Sequence, residues 1–308
     1  MRIASIDIGT NTFRLLVSEA DKGTALKKLY IGREITRLGE GLHGDEKLIS
    51  PRAIERSLKA LCGFSMKIKE YDVGTLRAVA TSAVRESLNG LDFVKLVKEE
   101  TGIPVDVISS DEEARLTVRG VLNSVKFDTP DCLIFDIGGG STEYVYVKEG
   151  RIADISSTGL GVVRLTEQYL NHDIDTDSDL ALLGAHVDEL LNEGLSSFPR
   201  PDGKNLTVIG TAGTPTTLAS IEMRLTPYNP SLVNNFVLAR AAIERILSAL
   251  VKIPKSERIK VPGIEKGRED LIISGTLIVL KTMDRFSSCS MVVSDAGLLE
   301  GVAYNLIS

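Results

Sequence analysis

Residues 132–145 read CLIFDIGGGSTEYV: an apolar run that stops on Asp136, turns on three glycines and starts again. Residues 3–17, IASIDIGTNTFRLLV, repeat the plan without a gap at an offset of 129. Asp7-Ile8-Gly9 lies over Asp136-Ile137-Gly138, and Thr10, Asn11 and Thr12 lie over Gly139, Gly140 and Ser141. Each copy predicts a strand, a tight turn on small residues and a returning strand. The pair reads as a duplicated α/β unit; two unrelated hairpins are the plainer alternative. Two similar lobes would enclose a cleft, where ligands usually sit.

Working outward, three short strands are expected at 2–8, 12–20 and 23–32, broken by Gly9 and Gly23. A helix over 52–71 follows Ser50-Pro51, an N-cap with proline at the first helical position. A strand near 75–80, a helix near 90–101, a strand at 104–108 and a helix at 111–124 complete the first half. Pro130-Asp131 restarts the pattern, with strands at 132–137, 142–148 and 151–156. Helices at 161–170 and 178–194, a strand at 206–210 and a helix at 213–224 come next. Helices at 239–251 and 268–285, a strand at 290–294 and a helix from 297 close the chain. Strands mixed with helices at this rhythm mean α/β.

The Gly138-Gly139-Gly140-Ser141-Thr142 turn carries the strongest chemical signal. Three residues without Cβ let consecutive N–H groups converge on an anion, and the two hydroxyls add donors. A plain hairpin turn would need fewer glycines, so phosphate binding is the preferred reading. The first turn, with Thr10, Asn11 and Thr12, offers similar groups. Asp7 and Asp136 end apolar strands, where a carboxylate is costly unless paired or bound to a cation. Mg²⁺ takes one or two carboxylates together with substrate phosphate and water. An Asx-type turn residue is the bland alternative for each, and the equivalent placement of the two tilts toward metal.

Other patterns lead nowhere. Gly39-x-Gly41-x-x-Gly44 spells a dinucleotide fingerprint outside a strand–turn–helix context and reads as a mobile loop. Asp173, Asp175, Asp177 and Asp179 imitate a calcium loop, but Ser178 and Gly184 stand where glycine and glutamate are required. His43, His172 and His186 are scattered. Cys62, Cys132 and Cys289 are odd in number and far apart, which disfavours zinc and disulfides and fits a reducing cytosol. The start, MRIASIDIG, has no secretory-signal pattern, and no run reads as a membrane span. The 308 residues carry a net charge of −6, which argues against a general nucleic-acid or membrane surface. Trp is absent and aromatics are 5%, which disfavours a base- or sugar-stacking platform.

The blocks IDIGTNTFRLLV, AVATSAVRES, ISSDEEARL, FDIGGGSTEYV, GTAGT and SDAGLLEGV occur in that order. Together they resemble the exopolyphosphatase / guanosine pentaphosphate phosphohydrolase (Ppx/GppA) family of the actin-like ATPase superfamily. The resemblance runs from about residue 3 to residue 303. It implies two ribonuclease-H-like lobes, 1–125 and 126–308, with an interdomain cleft and the last helix packing back on the first lobe.

The resemblance also implies an active site. The family's catalytic glutamate falls on Glu113. Alone, Ser110-x-x-Glu113 reads as a capping box; Glu112 is the nearest alternative base. Arg85 and Arg14 match phosphate-gripping positions, where a planar fork binds two oxygens. Glu143 matches an acid near metal and attacking water, and Gly210-x-x-Gly213-Thr214 a nucleotide-side loop. The closing motif often reads LREG; here it is Leu298-Leu299-Glu300-Gly301. Longer members continue beyond position 308, so distributive action on polymers is expected.

The combined expectation is a cytoplasmic, Mg²⁺-dependent phosphoanhydride hydrolase that trims inorganic polyphosphate to orthophosphate. Asp7, Asp136 and Glu143 serve the metal. Thr10, Asn11, Arg14, Arg85, Gly138, Gly139, Gly140, Ser141 and Thr142 bind phosphate, and Glu113 and Glu143 carry catalysis. Hydrolysis of guanosine pentaphosphate to the tetraphosphate, a kinase of the superfamily and a non-catalytic polyphosphate or alarmone sensor are the alternatives. A homodimer is the one assembly left open, with neither nucleic acid nor membrane as partner.

Overall fold

The structure is a computed structural model that describes residues 1–20, 26–42, 47–126, 129, 131–201 and 206–308. The expected strand start at 23, His43, Gly44 and Pro130 lie outside the described residues. The chain divides into two units, Met1–Gly120 with Gly297–Ser308, and Val121–Ala296. No helix among the described residues is long and apolar enough to cross a membrane.

In the first unit β1 (Arg2–Ile8) turns back as β2 (Thr12–Glu19), with Ile8 opposite Phe13, and β3 (Lys27–Ile35) lies beside β2. Helix α1 (Pro51–Glu70) follows; Ser50 caps it by accepting from the Ala53 N–H at 3.2 Å. The chain then enters β4 (Thr75–Ala80), parallel to β1. Next come α2 (Ser82–Glu86), α3 (Gly90–Thr101), β5 (Val105–Val107) and α4 (Ser110–Leu122). The sheet order is β3-β2-β1-β4-β5. Alternation splits the sheet into two faces. Ile6, Ile8, Phe13, Leu15 and Val17 pack with Leu61 and Phe64 on one side, while Ile3 and Leu16 point to the other.

In the second unit β6 (Asp131–Ile137), β7 (Thr142–Lys148) and β8 (Arg151–Thr158) form the same meander. After α5 (Val162–Tyr169) and α6 (Asp177–Gly194) comes β9 (Leu206–Ala212), parallel to β6. Then follow α7 (Gly213–Glu222), α8 (Pro230–Val233), β10 (Val237–Ala239), α9 (Arg240–Leu250), α10 (Ile272–Arg285) and β11 (Ser290–Val293). The sheet order is β10-β11-β9-β6-β7-β8. Without the short edge strand β10, the order from β8 to β11 reproduces that from β3 to β5. This is the ribonuclease-H arrangement, found twice.

The last helix, α11 (Leu298–Asn305), belongs to the first unit. Leu299, Ala303 and Ile307 pack against Ile3 and Leu16, covering the sheet face that α1 leaves open. Its other side meets α4 backbone to backbone. A Cβ on Gly120 would overlap the Gly297 carbonyl oxygen, and one on Gly301 would overlap that of Leu116. Leu299 is fully buried; where the family often carries arginine, this chain has a packing residue.

Two expectations are corrected. The helix expected from 268 begins at Ile272; residues 268–271 form a turn in which Leu271 N–H donates to the Arg268 carbonyl at 3.2 Å. The Gly39–Gly41 stretch is held rather than mobile. Thr36 and Arg37 N–H groups donate to the Asn11 carbonyl at 3.1 and 3.0 Å, and Gly39 N–H to that of Thr10 at 2.9 Å. From α1, Arg56 Nε donates to the Thr36 carbonyl at 2.8 Å, and its Nη2 meets Glu40 at 2.7 Å.

Candidate active site

The two Asp-Ile-Gly turns close in the same way. Gly9 N–H donates to the Thr12 carbonyl at 3.2 Å, and Gly138 N–H to that of Ser141 at 2.9 Å. A Cβ on either glycine would sit 2.9 Å from that carbonyl oxygen. A side chain there would strain the turn, which explains glycine at both positions.

What props the turns differs. Beneath the first, Gly39 lies against the methyl group of Thr10, so the side chain of Thr10 rests on backbone. The Asn11 Oδ1 is buried without a hydrogen-bond partner, an acceptor in a turn where a ligand would complete the bonding. Beneath the second, Gly161 presses on the backbone of Gly139 and Gly140. Val162 and Val163, which open α5, donate N–H to the Gly138 and Gly139 carbonyls at 3.1 and 3.0 Å. Thr142 is fully buried and its hydroxyl donates to the Leu160 carbonyl at 2.5 Å. Its hydroxyl therefore fastens the turn.

Register decides the charge beside each turn. Asp7 stands directly across from Arg14, and Arg14 from Arg33. Asp136 stands directly across from Glu143, and Glu143 from Ser157, whose hydroxyl donates to Glu143 Oε1 at 2.9 Å. The first unit thus sets an acid against a base; the second sets two acids together, with Glu143 only 2% exposed. Like charges at that spacing repel unless a cation is shared. Among the described residues no group of three metal-ligating side chains comes together. Two carboxylates beside a glycine turn match the donor chemistry Mg²⁺ takes, one or two carboxylates with phosphate oxygen and water.

The expected base sits at the start of α4, but the cap is one residue earlier than expected. The Ser109 hydroxyl accepts from Glu112 N–H at 3.2 Å, so Ser109 and not Ser110 is the N-cap. Glu112 then holds the third helical position and pairs with Arg77 at 2.6 Å. Burial works against charge on Arg77, yet its hydrogen bonds and charge pairing with Glu112 and Asp106 leave its pKa raised. Glu113 falls one residue further in, 9% exposed, with Oε2 3.0 Å from Arg85 Nη1. The same Nη1 donates to the Ile108 carbonyl at 2.9 Å. Arg85 is delivered by α2, the short helix that the sequence periodicity missed. Arg85 therefore orients Glu113, tying its carboxylate to the Ile108 carbonyl through one nitrogen.

Two further features escaped the sequence reading. At the junction of β9 and α7, Ala212 has φ 68° and ψ −160°, a conformation nearly reserved for glycine. It lies opposite Ile137 at the end of β6, one residue from the Asp136–Thr211 pair. On the first unit, Glu300 is buried with Oε1 2.8 Å from Lys28 Nζ and Oε2 3.1 Å from the Gly297 N–H. Burial alone would raise the Glu300 carboxyl. The charges of Arg14 and Lys28 and these hydrogen bonds outweigh it and hold the group below its ordinary range. Nothing in the spacing of LLEG signals that contact, because it joins residues 272 apart.

The chain matches the Ppx/GppA phosphatase family over residues 16–308. It is 30% identical to exopolyphosphatase 2 of Mycobacterium tuberculosis, over 99% of this chain and 98% of that one. It is 35% identical to a bifunctional 3-dehydroquinate synthase/phosphatase of Fusobacterium nucleatum over 97% of this chain, which spans 46% of that longer protein. Among solved structures, an exopolyphosphatase from Cytophaga hutchinsonii superposes with a TM-score of 0.90 at 28% identity, over 100% of this chain and 98% of that one. The Aquifex aeolicus Ppx/GppA family member gives 0.82 at 32%, over 100% and 97%. Doubled sheets, paired turns and a glutamate–arginine couple at the head of α4 thus come with likeness along the whole chain, and the chain belongs to the Ppx/GppA phosphatase family.

Proposed function

We propose that this chain is an exopolyphosphatase that hydrolyses the terminal phosphoanhydride bond of inorganic polyphosphate and releases orthophosphate. The observation that carries the reading is the pair of like turns with unlike charge. One turn stands beside Arg14, suited to a polyanion, and the other beside two carboxylates, suited to a cation. Whole-length likeness to a mycobacterial protein named exopolyphosphatase supports polyphosphate over a nucleotide.

In this reading Glu113, held by Arg85, takes a proton from water as the water oxygen bonds to the terminal phosphorus. The bond from that phosphorus to the bridging oxygen breaks, and the shortened chain leaves as the anion. Backbone N–H groups of the two turns and Arg14 carry the phosphate charge. Asp136 and Glu143 would hold Mg²⁺, which supplies charge neutralisation on phosphate oxygen. Asp7, set against Arg14, acts on that arginine more directly than on a metal. Positioning and neutralisation are most of what phosphoryl transfer requires. The cytoplasm is the compartment in this reading, in keeping with free thiols at Cys62, Cys132 and Cys289.

The test is phosphate release measured in parallel on long polyphosphate, tripolyphosphate, guanosine pentaphosphate and ATP, with and without Mg²⁺. Release from the polyphosphates, lost on chelation, is expected. Preferential release from guanosine pentaphosphate would transfer the assignment to the alarmone, and no release from any of the four would remove the enzyme.

A further inference from the structure

The buried carboxylate of Glu300 takes no part in the chemistry above, yet it stands on the catalytic face of the first sheet. Strand alternation places Asp7 on the same face of β1 as Ile3, and Arg14 on the same face of β2 as Leu16. Ile3 and Leu16 are the residues that Leu299 and Ala303 cover. The head of α11 therefore lies over the sheet face on which the Asp7–Arg14 pair stands. Ser5, between Ile3 and Asp7, confirms the approach: its hydroxyl donates to the Leu299 carbonyl at 2.8 Å.

Glu300 is fixed from two sides. Its Oε2 accepts from the Gly297 N–H at 3.1 Å, locking the side chain to the first turn of its own helix. Its Oε1 meets Lys28 Nζ on β3 at 2.8 Å. The helix itself cannot slide, because Gly120 and Gly301 bring the α4 and α11 backbones into direct contact. Arg14 and Lys28 are the charges that favour the ionised carboxylate. A buried anion costs several kcal/mol unless such partners are present. An arginine binds phosphate best when its planar fork is already oriented, since less side-chain freedom is lost on binding.

We propose that Glu300 is a positioning residue for Arg14: the last helix carries it to the sheet face where it holds that guanidinium ready for substrate phosphate. The inference rests on the exopolyphosphatase reading of Arg14 and adds a residue to it. It also gives the return of the chain end to the first unit a purpose beyond packing. Gly120 on α4 and Gly301 beside Glu300 on α11 couple α4, which bears Glu113, to the sheet face that bears Arg14.

The substitution Glu300→Gln keeps shape and hydrogen bonding and removes the charge. The expected result is a rise of about tenfold in KM for tripolyphosphate, the size of a lost charge-assisted contact, with kcat within about twofold. In an Arg14→Ala background the same substitution should change nothing further, since residues that act as a unit are not additive. Removing Lys28 (Lys28→Met) should leave KM within about twofold, because Arg14 keeps its anion.

An unchanged or lowered KM for Glu300→Gln overturns the proposal; a lowered one would mean that the carboxylate merely repels the polyanion. Equal effects of Lys28→Met and Glu300→Gln would also overturn it, assigning the role to the tie between β3 and α11. Should Glu300→Gln fail to fold, nitrogen-15 NMR of the unaltered protein decides. A slowly exchanging Arg14 Nε–H in the absence of substrate is expected, and a fast-averaging one refutes the positioning. If the unaltered protein neither binds nor hydrolyses tripolyphosphate, it is the function that fails and not this contact.

Discussion

The turns at Gly9 and Gly138 share backbone geometry and strand register and differ in the charge set across from their aspartates. Opposite its aspartate the first has Arg14; the second has Glu143. That exchange of charge divides the labour. An Asp–Arg couple is close to neutral, whereas an Asp–Glu couple concentrates negative charge and favours a nearby cation. A duplicated scaffold can therefore place opposite charges beside two like turns by changing residues on one strand.

The largest effect should come from the first unit. Glu113→Gln is expected to lower kcat by ~10²–10⁴-fold, the range for loss of a general base, with folding and polyphosphate binding intact. Kinetics together with a binding titration check this. Near-normal turnover would reassign the base to Glu143 and erase the division of labour. Because Ser109 provides the cap, Glu113→Gln should not unravel α4; thermal unfolding tests that directly.

The second prediction separates the two acid sites. Glu143→Gln should reduce activity by about 10–100-fold at fixed Mg²⁺, as for loss of a metal-supporting partner, and raise the Mg²⁺ concentration needed for half activity. Asp7→Asn should leave that midpoint in place and raise KM instead, since its partner is Arg14. Equal midpoints for both variants in a Mg²⁺ titration would show that the two turns share the cation.

The third concerns the props beneath the turns. Gly161→Ala drives a methyl into the backbone of Gly139 and Gly140, which cannot yield without deforming the turn. A loss of about 1–3 kcal/mol in stability is expected, with activity falling in parallel. Gly39→Ala overlaps the Thr10 methyl group, a side-chain atom, and meets the Ala83 Cβ at ordinary contact distance, so a smaller loss of about 1 kcal/mol is expected. Denaturant unfolding of the two variants measures the contrast, and a larger loss at Gly39 would reverse it.

The smallest effect is a gain. Ala212→Gly removes a Cβ from a conformation that costs a non-glycine residue about 1–3 kcal/mol, partly offset by the greater freedom of glycine in the unfolded chain. A net stabilisation of about 1 kcal/mol is expected by denaturant unfolding, and a loss would show that the Ala212 methyl is held by packing worth more than the strain.

The meanders, most helices and both turns were legible in the sequence because each is set locally. Apolar runs of period two, Ser50-Pro51 ahead of α1 and glycines at the turns all act over a few residues. The family resemblance added Glu113, Arg85 and Arg14, for which no local rule exists. Elements of three to five residues, β10 and α2, were missed because they lack the length to show a period. The capping box was misplaced by one residue because Ser109 and Ser110 are equally good caps in isolation. Only the turn of the helix decides which hydroxyl reaches the Glu112 N–H, and with it whether Glu113 caps the helix or meets Arg85.

By itself, then, the sequence determined the duplication, the class of the longer elements and the presence of two like glycine turns, all properties of neighbours along the chain. Tertiary structure decided what faces each turn: Arg14 against Asp7, Glu143 against Asp136, Arg85 against Glu113, Glu300 against Lys28. Those pairs depend on strand register and helix docking between distant segments. A one-residue shift in register would send each strand's side chains to the opposite face. Charge pairing is therefore a result of packing, and packing is settled by the whole apolar core at once.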